Sequence, residues 1–321
     1  MSRSVSSSAA RTAVLVVVLS IASLAAPATS AAPDRTGRSG AAASSSVRIV
    51  TYNVGAKNSP ARTMEDLAKI FSTNPDIVAL QEMSSPEKRR SVAERYVDCE
   101  DCRWGAYMPG PAVPGETPVL FRSDRLKLLD ARTVQLTEPT YVGQWGAGPA
   151  TIRAKFVTWV RLLDLKSGRM VNILNNHTVP SVQDKSGRPN HRSPARLKIY
   201  RKHLAGVKSL VRTFVEERRG LVFVTGDLNV NYRRDKVLSP PMFPYSSLGE
   251  VGLRASYEAL GEPPIGTHVL RSGNSTRLID YVYYRPGRTV EAYEQRVLTG
   301  FASDHRPLLA EFQVTRRPAS G

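Results

Sequence analysis

The chain has 321 residues, 41% of them hydrophobic, and 45 Lys and Arg against 28 Asp and Glu give it a net charge of +17. Its two cysteines, Cys99 and Cys102, are too few for a disulfide scaffold or a cysteine-built zinc centre. The positive charge points to polyanionic partners, whether nucleic acid, anionic lipid or acidic polymer, without choosing among them.

Residues 1–46 differ in composition from the rest. Arg3 and Arg11 precede the apolar run Ala13–Ala26, and the small residues PATSAA follow, which is the order of a secretory signal. The run is shorter than the ~20 residues of a membrane span. We therefore expect a signal peptide over 1–32, a flexible linker over 33–46, one folded domain over 47–315 and a tail over 316–321, in a secreted protein. The first 46 residues hold four Arg and one Asp, so the remainder still carries about +14. In an oxidising compartment Cys99 and Cys102 read as a short local disulfide that pins a loop.

Val47–Val54 is a β-branched run and predicts a buried strand. Ala61–Phe71 places Leu67, Ile70 and Phe71 on one helical face, Pro75 ends it, and Asp76–Met83 returns as a second strand. Val97–Thr117, with the cysteines, Gly and Pro, predicts loop. Pro118–Ser123 and Leu126–Leu136 read as a hairpin across SDR. Phe156–Leu165 and Met170–Asn176 read as another hairpin across KSGR. Ser193 as N-cap and Pro194 at the first position open a helix whose apolar residues Leu197, Tyr200, Leu204, Val207, Val211 and Phe214 recur at steps of three and four. Its charges Arg196, Lys198, Arg201, Lys202, Lys208 and Arg212 read as a solvated face, with a nucleic-acid patch as the alternative. Leu221–Val230 is a strand, Ser239–Pro244 a loop, Arg277–Tyr284 a strand, and Ser303–Val314 starts as a motif and ends as a strand. Val97–Thr117, Glu138–Ile152 and Val230–Leu248 carry no signature of a substrate.

Six short segments end apolar runs with an acid, an amide or an imidazole: TYNVG (Thr51–Gly55), LQEM (Leu80–Met83), NNHTVPS (Asn175–Ser181), TGDLNV (Thr225–Val230), RLIDYVYY (Arg277–Tyr284) and SDHRPL (Ser303–Leu308). Strand ends are where a rigid sheet can aim several side chains at one point. Cutting a phosphate ester needs hard oxygen ligands for a divalent cation, a group to aim a water, donors for developing negative charge and a proton source for the leaving oxygen. Glu82, Asp227, Asp280, Asp304, Asn53, Asn229, His177 and His305 supply that set. Among the other histidines, His203 reads as a packing residue, His191 as solvated and His268 as a lining residue of the cleft. Tyr281, Tyr283 and Tyr284 read as ordinary strand residues.

These six motifs, in this order, resemble the endonuclease/exonuclease/phosphatase superfamily over about Val47–Val314. The resemblance implies an α/β fold of four layers, α-β-β-α, in which two packed mixed β-sheets are flanked by helices and the site lies at one end of the sandwich, as in deoxyribonuclease I. It implies Glu82 as principal metal ligand, with Asn53 and Asp304 beside it, and Mg²⁺ or Mn²⁺ as the cofactor, with Ca²⁺ as a structural or assisting ion. Asp227 would align the attacking water, Asn229 would donate to the phosphoryl oxygen, His305 held by Asp280 would contact the phosphate, and His177 would serve the leaving oxygen. Glu116 is the nearest candidate for the acidic partner of His177. Arg122 and His268 are expected to touch substrate. A monomer acting on nucleic acid is expected, with no protein partner. A phospholipid or sphingolipid phosphodiesterase, with YVGQWGAG (Tyr141–Gly148) facing a lipid surface, and an inositol-phosphate type of phosphomonoesterase, with Lys185–Arg192 as its cationic loop, are the alternatives.

Overall fold

A computed structural model describes residues 44–110, 114–145, 148–218, 220–269 and 276–317. The expected signal peptide and most of the expected linker lie outside the described residues, as do the last four residues of the tail. In chain order the strands are β1 (Ser44–Asn53), β2 (Ile77–Gln81), β3 (Trp104–Tyr107), β4 (Val119–Arg122), β5 (Leu126–Gln135), β6 (Thr140–Trp145), β7 (Gly148–Ile152), β8 (Phe156–Asp164), β9 (Arg169–His177), β10 (Leu221–Asp227), β11 (Arg254–Ala255), β12 (Asp280–Tyr284), β13 (Val290–Val297) and β14 (Leu308–Thr315). The helices are α1 (Pro60–Ser72), α2 (Pro86–Val92), α3 (Pro194–Thr213), α4 (Tyr232–Leu238), α5 (Pro244–Gly249) and α6 (Ser256–Leu260).

One sheet has the order β13-β14-β1-β2-β4-β3 and the other β11-β12-β10-β9-β8-β5. Each is mixed in the same way. A central parallel pair, β1 with β2 and β9 with β10, is joined through α1 or α3, and the neighbouring strands run antiparallel. The period of two along β1 sorts its side chains. Val47 and Ile49 enter the buried cluster shared with the second sheet, where Phe223 meets Phe312 edge-on at 4.9 Å. Val50 and Tyr52 face the other way, onto Met64, Leu67 and Ile70 of α1. On the far face of the second sheet, Trp159 packs against Phe214 at 5.2 Å, close to Val207 and Val211 of α3. The four-layer α/β sandwich is thus the observed architecture.

Several boundaries differ from expectation for local reasons. Strand β1 includes Ser44, Ser45 and Ser46 ahead of the expected Val47, because they pair with Thr315, Val314 and Gln313 of β14. The stretch Val97–Thr117 is not all loop, since Trp104–Tyr107 pairs with β4. The expected hairpin across SDR does not form: β4 joins β2 in the first sheet, while β5 crosses to β8 in the second. Residues 230–248 carry α4 and α5 rather than open loop, and the described part of Tyr141–Gly148, residues 141–145 and 148, belongs to the separate β6-β7 ribbon. Arg196, expected on the solvated face of α3, is buried and reaches Pro180 O at 3.3 Å. The Cys99–Cys102 disulfide is formed.

Candidate active site

The two parallel pairs run in directions that bring their C-terminal ends to one pole of the sandwich. β1 ends there in Asn53 and β2 in Gln81, followed by Glu82. In the facing sheet, His177 at the end of β9 is in register with Asp227 at the end of β10, and Asp227 with Asp280 at the start of the antiparallel β12. Registered residues project from the same face of a sheet, so an imidazole and two carboxylates stand in one row. The row is tight enough to dictate the glycine before Asp227. A Cβ on Gly226, whose φ is +135°, would lie 1.9 Å from Asn176 O. Beneath the row, Gln81 Nε2 donates to Asn175 Oδ1 at 2.8 Å, and Asn175 Nδ2 donates to Leu80 O at 2.7 Å and Pro118 O at 3.0 Å. These buried amides fasten the ends of β2 and β9 to each other.

Asn53 joins the sheets at the level of the site. Its Nδ2 donates to Glu82 Oε1 at 3.1 Å and to Asp227 Oδ2 at 3.2 Å, while its Oδ1 accepts from Gly55 N–H at 3.0 Å. Glu82 sits at φ +60° and Asn229 at φ +54°. Left-handed backbone at a Glu costs roughly 1–3 kcal/mol and persists where surrounding contacts impose it. Here they do: the Ala56 N–H binds Glu82 Oε2, and the buried Lys88 holds that loop by donating to Gly55 O at 2.7 Å and Ala56 O at 3.2 Å. Asn229 takes Asp227 Oδ1 on its backbone N–H at 2.9 Å and donates from Nδ2 to Thr178 O at 3.3 Å.

Two imidazoles flank Asp227. His177 Nε2 is 3.6 Å and His305 Nε2 3.7 Å from Asp227 Oδ2. Each ring is held from behind by its own acid. His305 Nδ1 lies 3.0 Å from Asp280 Oδ2 and 3.1 Å from Oδ1, and His177 Nδ1 lies 2.5 Å from Glu116 Oε1. Burial alone would strip His305 of its proton, but Asp280 and Asp227 outweigh it and raise the pKa to about 10. His177 is also raised: burial and Lys155 pull it down, and Glu116 and Asp227 pull it up further. Glu116 is held at about 2 against its burial by His177 and Lys155. Beside this pair, His268 bridges to His305 along the backbone, with ring centroids 5.1 Å apart, and burial and the His305 charge lower its pKa to about 4. It is a neutral ring next to a cationic one.

The donor set suits a hard divalent cation. Five carboxylates, Glu82, Glu116, Asp227, Asp280 and Asp304, gather at one pole of a strongly basic chain. Lys88 is committed to carbonyl oxygens and Lys155 to Glu116 at 3.5 Å. Asp227, Asp280 and His305 bring ligand-type atoms within 4.8 Å of one another, but Asp280 and His305 are engaged with each other. Glu82, about a quarter exposed, and Asp227, with the exposed Asp304 at the rim, are the oxygens left to hold a cation.

The structure thus gathers Asn53, Glu82, His177, Asp227, Asn229, Asp280, Asp304, His305 and His268 at this pole. One expectation is corrected. Arg122 lies at the opposite end of β4, which runs antiparallel to β2, and binds Asp124 at 2.6 Å and Asn74 at 2.8 Å. Asn53 stands between the two carboxylates as a donor, with its Oδ1 accepting the Gly55 N–H. Sequence reasoning missed Lys88, Ser303 and Asp66. Ser303 Oγ donates to Asn53 O at 2.8 Å and accepts from His305 N–H at 3.1 Å. Asp66 takes the Tyr52 hydroxyl at 2.5 Å and the Ala302 N–H at 3.0 Å, docking the SDH turn on α1. The SDH serine was in view in the sequence; nothing there marked Lys88 or Asp66.

A groove of about 1470 Å³ leads away from His305, His268 and Asn229, past Arg277 and Arg234, to the loop that carries Lys185 and Arg192. Among the described residues no helix is long and apolar enough to cross a membrane.

The profile of the Endonuclease/Exonuclease/phosphatase family matches residues 50–305. No curated protein matches the chain in sequence. Among solved structures, an endonuclease/exonuclease/phosphatase family protein from Bacteroides thetaiotaomicron superposes with a TM-score of 0.61 at 16% identity, covering 85% of this chain and 97% of that one. D. rerio TDP2 complexed with single strand DNA product superposes at 0.59 and 15% identity, covering 84% and 99%. The Bacteroides thetaiotaomicron mannosyl-6-phosphatase superposes at 0.60 and 16%, covering 83% and 99%. At these identities the likeness is one of fold.

Proposed function

The chain belongs to the endonuclease/exonuclease/phosphatase family, whose members are divalent-metal-dependent phosphoric ester hydrolases, and from that premise we propose that it cleaves phosphodiester bonds of nucleic acid, with Mg²⁺ or Mn²⁺, outside the cell. The observation that carries this reading is the pair of imidazoles whose Nε2 atoms flank one oxygen of Asp227 at 3.6 and 3.7 Å, each with a carboxylate on its Nδ1.

A diester has a poor alkoxide leaving group, so its hydrolysis needs a proton donor on one side and an aligned water on the other. Asp227 Oδ2 orients the water and takes up its proton. The cationic His305, fixed by Asp280, donates to the phosphoryl oxygen as charge builds there, and the Asn229 amide adds a second donor. Glu116 on Nδ1 favours the doubly protonated ring of His177, whose Nε2–H goes to the departing oxygen while the Nδ1–H stays with Glu116. A cation held by Glu82 and Asp227, when bound, would offset charge on the phosphorus.

The substrate class is supported by the groove, where Lys185, Arg192 and Arg234 are exposed along a path that reaches His305 and Asn229. A phosphate chain is a better match for such a row than one terminal phosphate. The charged, apolar and small-residue order of 1–32 supports export, and the Cys99–Cys102 disulfide suits that compartment.

The test uses purified protein on plasmid DNA, sphingomyelin vesicles and an inositol phosphate, each with Mg²⁺ and with EDTA. Plasmid cutting that stops in EDTA is the expected result. Release from lipid or monoester with DNA left intact would move the substrate while leaving the site in place.

A further inference from the structure

The groove continues past Asn190 and His191 onto the first turns of α3. Pro194, Lys198, Arg201, Lys202 and Ala205 fall on one helical stripe, at the three- and four-residue spacings that align side chains on a face. They surround a hollow of about 480 Å³ whose floor is the buried Leu197. His191 lines both the hollow and the groove, so the two adjoin at that residue.

Lys198, Arg201 and Lys202 are exposed, and among the described residues none has a carboxylate partner. Farther along the same helix Lys208 is neutralised by Glu250 at 2.7 Å. The loop between hollow and site is held in place. Gly187, at φ +92°, packs so closely on α4 that a Cβ there would lie 2.5 Å from Arg234 Cβ. Asn190 Nδ2 donates to Ser181 O at 2.9 Å, and Asp184 Oδ1 accepts the N–H groups of Ser186 and Arg188 at 2.8 and 2.9 Å. The one acid of the loop is therefore occupied by its own backbone, and the cations are left facing solvent.

We propose that this hollow is a second subsite for the substrate strand, taking a nucleotide at a distance from the scissile bond. The apolar floor lies under a base, and the three cations meet phosphates on either side. Among the described residues no exposed large apolar side chain rims the hollow, as a lipid-facing surface would require. This assignment rests on the nucleic-acid reading above, and adds that only a strand several nucleotides long gains from it.

The experiment compares the full protein with its Lys198→Glu/Arg201→Glu/Lys202→Glu variant on a trinucleotide, on a single strand of about 16 nucleotides, and on bis(p-nitrophenyl) phosphate, with a thermal melt as the control for folding. Losing three phosphate contacts should raise KM on the long strand by about ten-fold or more and lower the slope of log KM against log salt by roughly 2, at ~0.7 per contact. Trinucleotide KM and bis(p-nitrophenyl) phosphate turnover should stay unchanged. A long strand that is cut with unchanged KM and salt slope would overturn the subsite alone. Loss of binding to phosphatidylglycerol vesicles in place of the strand effect would overturn it in favour of a membrane surface. If the unmodified protein turned over bis(p-nitrophenyl) phosphate but cut no strand of any length, the nucleic-acid reading would fall and this subsite with it.

Discussion

Strand β2 is preceded by one carboxylate and followed by another, and the two meet opposite fates. At its start, Asp76 Oδ1 binds Arg125 at 2.8 Å and Oδ2 takes the Arg48 N–H at 2.8 Å, while the neighbouring Asp164 binds Arg125 at 3.4 Å, Ser167 Oγ at 2.5 Å and the Lys166 N–H at 3.1 Å. At its end, Glu82 has a backbone N–H and an amide, and the His177 imidazole stands 3.9 Å away. A guanidinium stays charged at any physiological pH and locks a carboxylate in place. An imidazole exchanges its proton and leaves the carboxylate able to do chemistry. The hollow at the Arg125 pole, about 600 Å³ and lined by Arg48, Asp76, Arg122 and Asp124, is accordingly a structural junction, although it is a cavity as real as the groove.

If that contrast is right, damage at the two poles should show in different measurements. Arg125→Met leaves Asp76 and Asp164 buried beside each other without their cation, and should cost about 3–5 kcal/mol of stability. Denaturant melts would register that loss, while kcat below the melting range should hold. Asp280→Asn does the reverse. It unties His305 and should lower kcat by about 10²–10⁴ with little change in KM for a small diester, and equal losses of stability at both poles would erase the distinction.

Glu116→Gln is a finer probe, because it should hurt most where the leaving oxygen most needs a proton. An alkyl diester should slow by about 10² and a p-nitrophenyl diester hardly at all. A uniform loss on both would assign Glu116 to the frame of the fold. The last probe is one of pH. Because the folded protein raises His305 to about 10, its contribution to stability is complete below the unfolded pKa of ~6.5 and disappears as pH rises through about 10. In EDTA, the melting temperature of the wild-type protein should exceed that of His305→Gln most near pH 6, and the gap should close toward pH 10.5. A gap independent of pH would mean that Asp280 does not hold a proton on His305.

The contrast also explains how far the sequence could be read. Asn53, Glu82, His177, Asp227 and Asp280 each abut an apolar run, so local pattern places them at strand ends; parallel pairing gathers the first four at one pole, and the antiparallel β12 starts Asp280 beside Asp227. Arg122 follows an apolar run just as closely, but β4 runs antiparallel and carries it to the other pole. Apolar pattern reports that a strand is buried, not its direction or its sheet, which is also why β4 and β5 read as a hairpin and belong to different sheets. Glu116 sits on a 3₁₀ turn with no periodicity to mark it, and the left-handed backbone at Glu82 has no sequence signature at all. Arg196 shows the same gap on α3, where helical spacing cannot reveal that the Pro180 loop covers it.

The most direct test of a metal-dependent site built on Asp227 is turnover of bis(p-nitrophenyl) phosphate by the wild-type protein, Asp227→Ala and Arg125→Met, each with Mg²⁺ and with EDTA. The two-pole account predicts turnover by the wild type and Arg125→Met in Mg²⁺ only, and none by Asp227→Ala in either condition. Hydrolysis that survives in Asp227→Ala, or in EDTA, would contradict it.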